Sequence, residues 1–261
     1  MHWSDRRILL TGASGGIGRS LALKLARRGA RLLLVGRNPS TLQALADELP
    51  APAEWRALDL RDASGRQGLV EAAREAGVDM LINAAGVNRF GLFAHQSPES
   101  VDELISLNVT ATLQLTQAML PLLKAVDEAW IVNLGSTFGA IGYPGYASYC
   151  ASKAALRGFS QALRRELADT AIHIHYIAPR ATRTAMNDAA VDALNAELGN
   201  AMDDPQQVAE AIIRAIEQRA VDRHLGWPER LFVSLNAVVP GVVDRALRRQ
   251  LAIIQRFANR S

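Results

Sequence analysis

The sequence has a single cysteine and no apolar run long enough to span a membrane. Cys150 cannot form an internal disulfide, which favours a reducing compartment, and we expect a cytoplasmic protein. The longest apolar run near the carboxyl end, residues 231–243, contains Ser234, Asn236 and Pro240. It has about 13 residues, whereas a transmembrane helix needs roughly 20. The first seven residues are polar and charged, so we predict no signal peptide.

Lysine is also scarce, because 26 of the 29 basic residues are arginine and only three are lysine. The formal charge is +3, but residues 241–261 alone carry +4, so the other 240 residues sum to −1. This balance excludes a basic body that coats nucleic acid, and we predict no nucleic-acid partner. The tail has one acid, Asp244, and five arginines: Arg245, Arg248, Arg249, Arg256 and Arg260.

Short apolar runs alternate with amphipathic stretches along the whole chain, which is typical of a parallel sheet covered on both faces. We therefore predict the α/β class: a doubly wound parallel sheet (Rossmann-like), in a single domain with a helical C-terminal tail. Residues 1–225 form the predicted dinucleotide-binding catalytic domain, and residues 226–261 a helical extension of it. Predicted strands are 8–11, 31–35, 55–58, 78–82, 129–134, 172–177 and a short one after 221. Predicted helices are 17–28, one opened by Asn38 and Pro39, 63–76, 98–125, 146–169 and 205–219.

A glycine-rich turn lies between the first predicted strand and the first predicted helix. It reads Thr11-Gly12-Ala13-Ser14-Gly15-Gly16-Ile17-Gly18. Glycines there allow a tight turn, and free N–H groups at a helix start favour an anion such as a pyrophosphate. The turn predicts a dinucleotide site.

A tyrosine and a lysine four residues apart indicate acid–base chemistry. Tyr149 and Lys153 share one face of a predicted helix, and an adjacent ammonium lowers the pKa of a phenol toward the neutral range. Ser136 follows the fifth predicted strand, at the sheet edge where ligands bind in such folds. Its hydroxyl is placed to hydrogen-bond a reacting oxygen. An exposed helical pair is the alternative for Tyr149 and Lys153.

These motifs together resemble the short-chain dehydrogenase/reductase family over about residues 6–225. The matching features are the Gly-x-x-x-Gly-x-Gly spacing at Gly12, Gly16 and Gly18, then Asp59, Asn83-Ala84-Ala85-Gly86, Asn108, Ser136 and Tyr149-x-x-x-Lys153. The resemblance implies that Asn108, Ser136, Tyr149 and Lys153 are catalytic, with Asn108 holding a water that links the lysine to solvent. It also implies that Lys153 binds the nicotinamide ribose. The further implied cofactor contacts are Ile17, Asp59 at the adenine with Leu60 alongside, and Asn83, Ala84 and Gly86.

The end of the second strand favours NADP(H) as cofactor. Gly36 stands where NAD-dependent members of the family usually carry an acid, and Arg37 suits a 2′-phosphate. Ser14 and Asn38 are possible secondary contacts. In the alternatives, Arg37 is an ordinary surface arginine and Asp59 caps the helix entering at Asp62.

One segment departs from the family pattern. After the sixth strand the family commonly has Pro-Gly, whereas this chain has Pro179-Arg180. Thr182 and Thr184 are still expected to contact the cofactor along with Pro179, and Arg180 faces either the phosphates or solvent. Cys150 is interpreted as a packing residue. The five histidines lack metal-ligand spacing, so no metal is predicted.

The function predicted from the sequence is an NADP(H)-dependent oxidoreductase acting on a carbonyl or secondary alcohol. Both 3-oxoacyl and steroid-like or xenobiotic carbonyls remain open, and a catalytically idle NADP-binding sensor or scaffold is the alternative. Substrate walls are expected at 87–92, 137–146 and 185–198, where four apolar side chains either line a pocket or pack the core. These are Phe90, Phe138, Tyr143 and Met186.

The tail suggests one more helix and a partner. Leu247, Leu251, Ile254 and Ala258 recur at helical spacing with arginines around them. We favour docking of this stripe on the protein's own body or a second subunit, with weak contact to an anionic membrane surface as the alternative. A homo-oligomer is expected.

Overall fold

A computed structural model describes residues 1–259 as a seven-stranded, all-parallel sheet in the order β3-β2-β1-β4-β5-β6-β7. Arg260, one of the tail arginines, lies outside the described residues. The strands are β1 Arg7–Thr11, β2 Arg31–Gly36, β3 Glu54–Ala57, β4 Met80–Asn83, β5 Ala129–Leu134, β6 Ile172–Ala178 and β7 Asp222–His224. The order reverses after β1, as in a doubly wound sheet, so the predicted fold class is confirmed.

Residues 1–259 contain ten α-helices, of which six cover the two faces of the sheet. The ten helices are α1 Gly16–Arg27, α2 Pro39–Glu48, α3 Ala63–Glu75, α4 Pro98–Ile105, α5 Thr112–Lys124, α6 Ala147–Glu166, α7 Ala189–Glu197, α8 Pro205–Glu217, α9 Glu229–Val238 and α10 Pro240–Ala258. Helices α1, α2 and α8 bury their apolar sides on one face, and α3, α5 and α6 pack on the other. The central strands are apolar on both sides because both of their faces are covered.

The helix predicted over 98–125 is not uniformly α-helical. Helices α4 and α5 are joined by a π-helical segment, Ser106–Ala111, which contains Asn108. The buried residues Leu104, Leu107, Ala111 and Leu115 recur at intervals of three or four through this segment, as they would in an α-helix, so hydrophobic spacing does not reveal it. Such segments are frequent at functional sites, and this one places Asn108 beside the loop after β4.

Two further elements enclose the carboxyl end of the sheet. Helix α7 lies in a segment predicted as a substrate wall. It begins after Asp188, whose side chain accepts a hydrogen bond from the Val191 N–H at 2.8 Å. Helix α10 docks on the body of the protein, with Ile254 and Ala258 buried beside α7. Leu247 and Leu251 of the predicted stripe are half-buried. Within residues 1–259, no helix is long and apolar enough to cross a membrane.

Candidate active site

The strands end at a large cleft of about 810 Å³ along the carboxyl edge of the sheet. In a parallel sheet the loops that follow all strands meet at this edge, so residues far apart in sequence converge there. Thirteen residues predicted for the site line this cleft: Gly12, Ser14, Gly16, Ile17, Gly18, Ala84, Gly86, Ser136, Tyr149, Lys153, Pro179, Thr182 and Thr184. The remaining predicted residues do not line it: Arg37, Asn38, Asp59, Leu60, Asn83 and Asn108.

The glycine turn leaves the start of α1 open to the cleft. Gly15 occupies the N-cap position and supplies no capping side chain, so the first N–H groups of the helix face the cavity uncapped. A Cβ on Gly12, whose φ is +66°, would lie 2.7 Å from the Ala85 nitrogen, and one on Gly18 would lie 2.1 Å from the Gly12 carbonyl oxygen. The turn therefore needs glycine at both positions, and its shape fits the pyrophosphate of a dinucleotide.

At the end of β2, the backbone approaches the glycine turn closely. A Cβ on Gly36 would lie 3.0 Å from Ser14 Oγ and 3.3 Å from Leu42, so a larger residue there must displace Ser14. Arg37 follows on the exposed surface, and its charge contributes to lowering the pKa of Asp59. The Asn38 side chain accepts a hydrogen bond from Thr41 N–H and caps α2. Asn38 thus has a structural role in addition to any cofactor contact.

Asp59 and Leu60 lie outside the residues that line the cleft. The Asp59 carboxylate accepts hydrogen bonds from the backbone N–H and the guanidinium of Arg61, and these bonds lower its pKa. Asp62 itself caps α3 by accepting from Ser64 N–H, so the interpretation of Asp59 as that cap is wrong. Leu60 is buried among the side chains under α3 and belongs to the core.

Asn83 is a structural residue of the sheet. Its buried amide donates to Asn133 Oδ1 at 2.8 Å and to Thr116 Oγ1 at 3.1 Å, which ties β4 to β5 and to α5. Both amide hydrogens are therefore bonded inside the protein, and the cofactor contact predicted for Asn83 stays a prediction. Ala84 and Gly86, from the same turn, do face the cleft.

Ser136, Tyr149 and Lys153 meet at the middle of the cleft. Ser136 Oγ accepts a hydrogen bond from Phe138 N–H at 3.2 Å, which fixes the short turn Thr137–Gly139 after β5. One helical turn separates Tyr149 from Lys153 in α6, and Lys153 Nζ lies 5.8 Å from the centre of the Tyr149 ring. The buried Lys153 ammonium donates to the Leu134 carbonyl at 3.1 Å. The arrangement places a hydroxyl, a phenol and an amine around one cavity.

The pKa of Tyr149 shifts in the direction opposite to the sequence expectation. Desolvation raises it to about 12, although a hydrogen bond with Ser136 opposes the rise. The ring packs near Phe138 and Tyr146, and the Lys153 amine binds a backbone carbonyl rather than the phenol. Desolvation also lowers the pKa of Lys153, to about 8. Lys153 is therefore mostly protonated and Tyr149 fully protonated at neutral pH.

Asn108 uses its side chain to hold the loop that follows β4. Its Oδ1 accepts from Val87 N–H at 2.8 Å, while its Nδ2 donates to the Val87 carbonyl at 2.9 Å and to Ser152 Oγ at 3.1 Å. Both amide hydrogens are thus engaged within the protein. A Cβ on Gly86 would lie 3.1 Å from Asn108 Oδ1 and 3.6 Å from Lys153 Nζ, so this glycine lets the two side chains come close.

Tyr176 in β6 has no site role predicted from the sequence, but it holds the backbone at Ser136 (the serine turn, residues 135–139) in place. Its hydroxyl accepts from Ser136 N–H at 3.4 Å and donates to the Ser136 carbonyl at 3.3 Å. The ring occupies space that a Cβ on Gly135 would fill, 2.1 Å from Tyr176 Cζ. The sequence gives only a weak signal for this contact, a large phenol in a strand and a glycine directly before Ser136.

Arg180 lines the cleft, and carboxylates hold its guanidinium. Its guanidinium binds both oxygens of Asp203, at 2.7 and 2.8 Å, and also reaches Glu229 at 3.2 Å. These bonds raise its pKa further above the ordinary value. The interpretation of Arg180 as a residue facing solvent is therefore wrong, because two carboxylates distant in sequence converge on it, whereas a contact with cofactor phosphates stays a prediction. Arg180 fastens the segment after β6 to the start of α9.

The rest of the cleft is largely apolar. Phe138, Tyr143 and Met186 line it as one interpretation predicted, whereas Phe90 packs against Tyr146 behind the wall. Other apolar lining residues come from the helices at the carboxyl end: Ile141, Leu194, Phe232, Leu235 and Leu247. Cys150 is buried, and desolvation raises the pKa of its thiol, as fits a packing residue. Across residues 1–259, no group of three or more His, Cys, Asp or Glu side chains is arranged to hold a metal ion.

Three known proteins illustrate what the chain resembles. The 3-oxoacyl-acyl-carrier-protein reductase FabG of Escherichia coli K12 is 34% identical over 194 residues, which cover 74% of this chain and 80% of that protein. The structure of a short-chain dehydrogenase from Sphingobium yanoikuyae in complex with NADPH has a TM-score of 0.78 at 30% identity. It covers 92% of this chain and 95% of that one.

A third structure, a short chain dehydrogenase/reductase from Burkholderia phymatum in complex with NAD, has a TM-score of 0.83 at 23% identity. It covers 91% of this chain and 94% of that one, and at this identity it bears on the fold alone. The family model for short chain dehydrogenases matches residues 6–195. The chain therefore belongs to the short chain dehydrogenase family of oxidoreductases.

Proposed function

We propose that this protein is an NADP(H)-dependent oxidoreductase that reduces a bulky, apolar carbonyl compound or oxidises the corresponding secondary alcohol. The observation that carries the proposal is convergence: Ser136, Tyr149 and Lys153 line the same cleft as the uncapped start of α1. A dinucleotide whose pyrophosphate lies at α1 brings a nicotinamide within the same cavity as the phenol. The bound nicotinamide supplies the hydride.

In this proposal Tyr149 donates the proton to the carbonyl oxygen during reduction. Desolvation keeps the phenol protonated at neutral pH, so the proton that reduction requires is present. Ser136 donates a hydrogen bond to the same oxygen and stabilises its developing negative charge. Lys153 holds the ribose hydroxyls with the N–H groups that do not bind Leu134, and Asn108 positions the loop that borders the lysine. The two hydroxyls and the amine thus have separate tasks.

Tyr149→Phe tests this assignment. A general acid contributes about 10²- to 10⁴-fold to a rate, so we expect kcat for carbonyl reduction to fall by that factor while the fold and cofactor binding persist. Tyr143→Phe is the matched control, because it removes another phenol that lines the cleft. Oxidation of NADPH and NADH is measured across a panel of short, 3-oxoacyl-type and steroid-like carbonyls. Turnover by Tyr149→Phe equal to that of the parent would refute the role of Tyr149, whereas no turnover of any carbonyl by the parent would favour the idle sensor or scaffold.

The preference for NADP(H) is part of the same proposal. Gly36 leaves no acid at the end of β2, Ser14 Oγ lies against it, and the exposed Arg37 follows. A charge-assisted bond to a 2′-phosphate is worth about 1.5–3 kcal/mol, so we expect Arg37→Gln to lower kcat/KM for NADPH by about 10- to 100-fold. NADH should be little affected. Arg31→Gln, at the opposite end of the same strand, is the control.

The apolar cleft supports the substrate class. Side chains from Phe138, Ile141 and Leu194 surround the space beside Tyr149, and the ring of Tyr143 stacks on Phe138 at 4.9 Å. The named activity of the E. coli relative, reduction of a 3-oxoacyl group, is one member of this class. We also propose that the enzyme acts in the cytoplasm as a homo-oligomer, where the buried Cys150 remains a free thiol.

A further inference from the structure

Helix α9 and the turn into α10 expose a group of large apolar side chains. We call this surface the apolar rim, and it comprises Trp227, Leu231, Phe232, Val238, Val239 and Val242. Val238 is 80% exposed and Trp227 is 71% exposed, far more than core residues of their type. Single exposed apolar residues are ordinary, but six within sixteen consecutive positions form an unusual surface.

The exposure of the rim does not come from a poorly anchored helix. The opposite side of α9 is packed, since Val233 is buried with Ile141 and with Val243 of α10. Asn236 Nδ2 also donates to the Ala140 carbonyl at 2.9 Å. The helix therefore satisfies its own packing and still turns Leu231 and Val238, seven residues apart, toward solvent.

Cationic side chains lie in the same two helices as most of the rim. Arg230 lies in α9, and Arg245, Arg248 and Arg249 lie in α10, all of them exposed. None of these four forms an ion pair with an acid among residues 1–259. Elsewhere the chain does pair such groups: Arg256 binds Glu197, and Arg180 binds Asp203 and Glu229. The rim thus combines an apolar centre with uncompensated positive charge.

The rim also borders the mouth of the cleft. Trp227, Phe232 and Val242 belong both to the rim and to the residues that line the cavity. An apolar compound that leaves a lipid phase at the rim would therefore enter the cleft without crossing water. This link to the substrate rests on the proposed function, whereas binding of the rim to lipid does not.

We propose that the apolar rim and its four arginines bind the surface of an anionic lipid bilayer. Apolar side chains and a tryptophan at the interface enter the headgroup region, and arginines beside them contact lipid phosphates. The unpaired positive charge favours an anionic bilayer over a second copy of the chain, because a second copy would place its own four arginines against these four. The docked stripe of α10, which contains Ile254, is not the contacting surface, since it is buried against α7.

Vesicle sedimentation tests this proposal with the full chain. We expect the protein to pellet with vesicles of phosphatidylcholine containing roughly one third phosphatidylglycerol, and much less with phosphatidylcholine alone. Each arginine near such a surface contributes about fivefold to the binding constant, so Arg245→Gln/Arg248→Gln/Arg249→Gln should weaken binding by roughly a hundredfold. Leu231→Glu/Val238→Glu should abolish it. Val221→Glu, an exposed valine at the amino end of β7, is the control that should bind normally.

None of these substituted residues lines the cleft, so reduction of a water-soluble carbonyl should stay unchanged in every variant that folds. Unchanged activity in Leu231→Glu/Val238→Glu would show that lost sedimentation is not lost folding. Equal pelleting of the parent with both vesicle types, or normal pelleting of that double variant, would overturn the proposal. So would a smaller assembly of the double variant in light scattering, because the rim would then be a subunit interface. Failure of all carbonyl turnover with intact lipid binding would refute the proposed function alone.

Discussion

The contact between Gly135 and Tyr176 predicts a strong coupling that can be measured. An alanine at position 135 would place its Cβ 2.1 Å from Tyr176 Cζ and 2.3 Å from the phenol oxygen. Carbon atoms prefer separations of about 3.5–4.0 Å, so the ring or the serine turn must move by more than about 1 Å. Overpacking of this kind costs about 3 kcal/mol in a close-packed core. For a chain of this size we expect the Tm to fall by about 6–12 °C.

Tyr176→Val should be destabilising on its own, because the ring is 1% exposed and its loss leaves a cavity. The cost is about 3 kcal/mol. In the double variant Gly135→Ala/Tyr176→Val the new methyl group enters that cavity instead of meeting the ring. We therefore expect the double variant to be no less stable than Tyr176→Val, which corresponds to a coupling of about 3 kcal/mol between the two positions.

The assay is thermal and urea unfolding of the four proteins in this cycle. Gly142→Ala is the matched control, because it lies in the same loop region and its Cβ would meet nothing within 4 Å. That variant should be as stable as the parent or slightly more stable, since alanine restricts the unfolded chain. If the two single losses simply add in the double variant, within about 0.5 kcal/mol, the ring and the turn do not share this space and the reasoning is refuted.

Three further predictions rest on single contacts. In urea unfolding, Arg180→Ala should lower the free energy of unfolding by about 3 kcal/mol because Asp203 and Glu229 lose their partner. The control Arg19→Ala breaks an exposed pair with Glu48 and should cost less than about 1 kcal/mol. Lys153→Met should raise the Tm at pH 7, where the buried ammonium of the parent is a penalty. The pKa of Lys153 in the folded protein, about 8, lies below the ordinary 10.5, so this penalty is lost as pH rises from 8 to 10.5. An equal difference in Tm between variant and parent at pH 7 and at pH 10.5 would contradict the assignment. Tyr176→Phe should lower kcat more than it changes KM, because only the bonds to Ser136 are lost, and an unchanged kcat would show that they do not position the serine.

The fold was largely predictable because most strands are short apolar runs and several helices follow a capping side chain. Asn38 and Asp62 cap the second and third helices directly before their first turns, as their side chains allow. The predicted bounds differ from the observed ones by a few residues at most. The π-helical segment at Asn108 was not predictable, since buried apolar residues continue through it at every third or fourth position, as they do in an α-helix.

The candidate site was predictable where a motif is local and not where partners come together from distant parts of the chain. The glycine turn and the Tyr149–Lys153 pair each lie within eight residues, so their geometry follows from one turn or one helix. Arg180 was noticed as a departure, but its partners Asp203 and Glu229 follow by 23 and 49 residues. Tyr176 is 40 residues from the serine that it contacts. Such contacts depend on long-range packing, which the hydrophobic periodicity of the sequence does not reveal.

Enclosure of Tyr149 also bears on the direction in which the proposed reaction runs most easily. Spacing shows that a lysine is near the phenol, and from spacing alone the phenol pKa was expected to fall. The structure adds Phe138 and Tyr146 around the ring and a backbone carbonyl that binds the amine, and the pKa rises to about 12. Reduction begins from the protonated phenol that this environment favours. Oxidation begins from the phenolate, which the same environment disfavours, so the proposed oxidation depends on nearby positive charge, that of Lys153 and of an oxidised nicotinamide, to lower the phenol pKa.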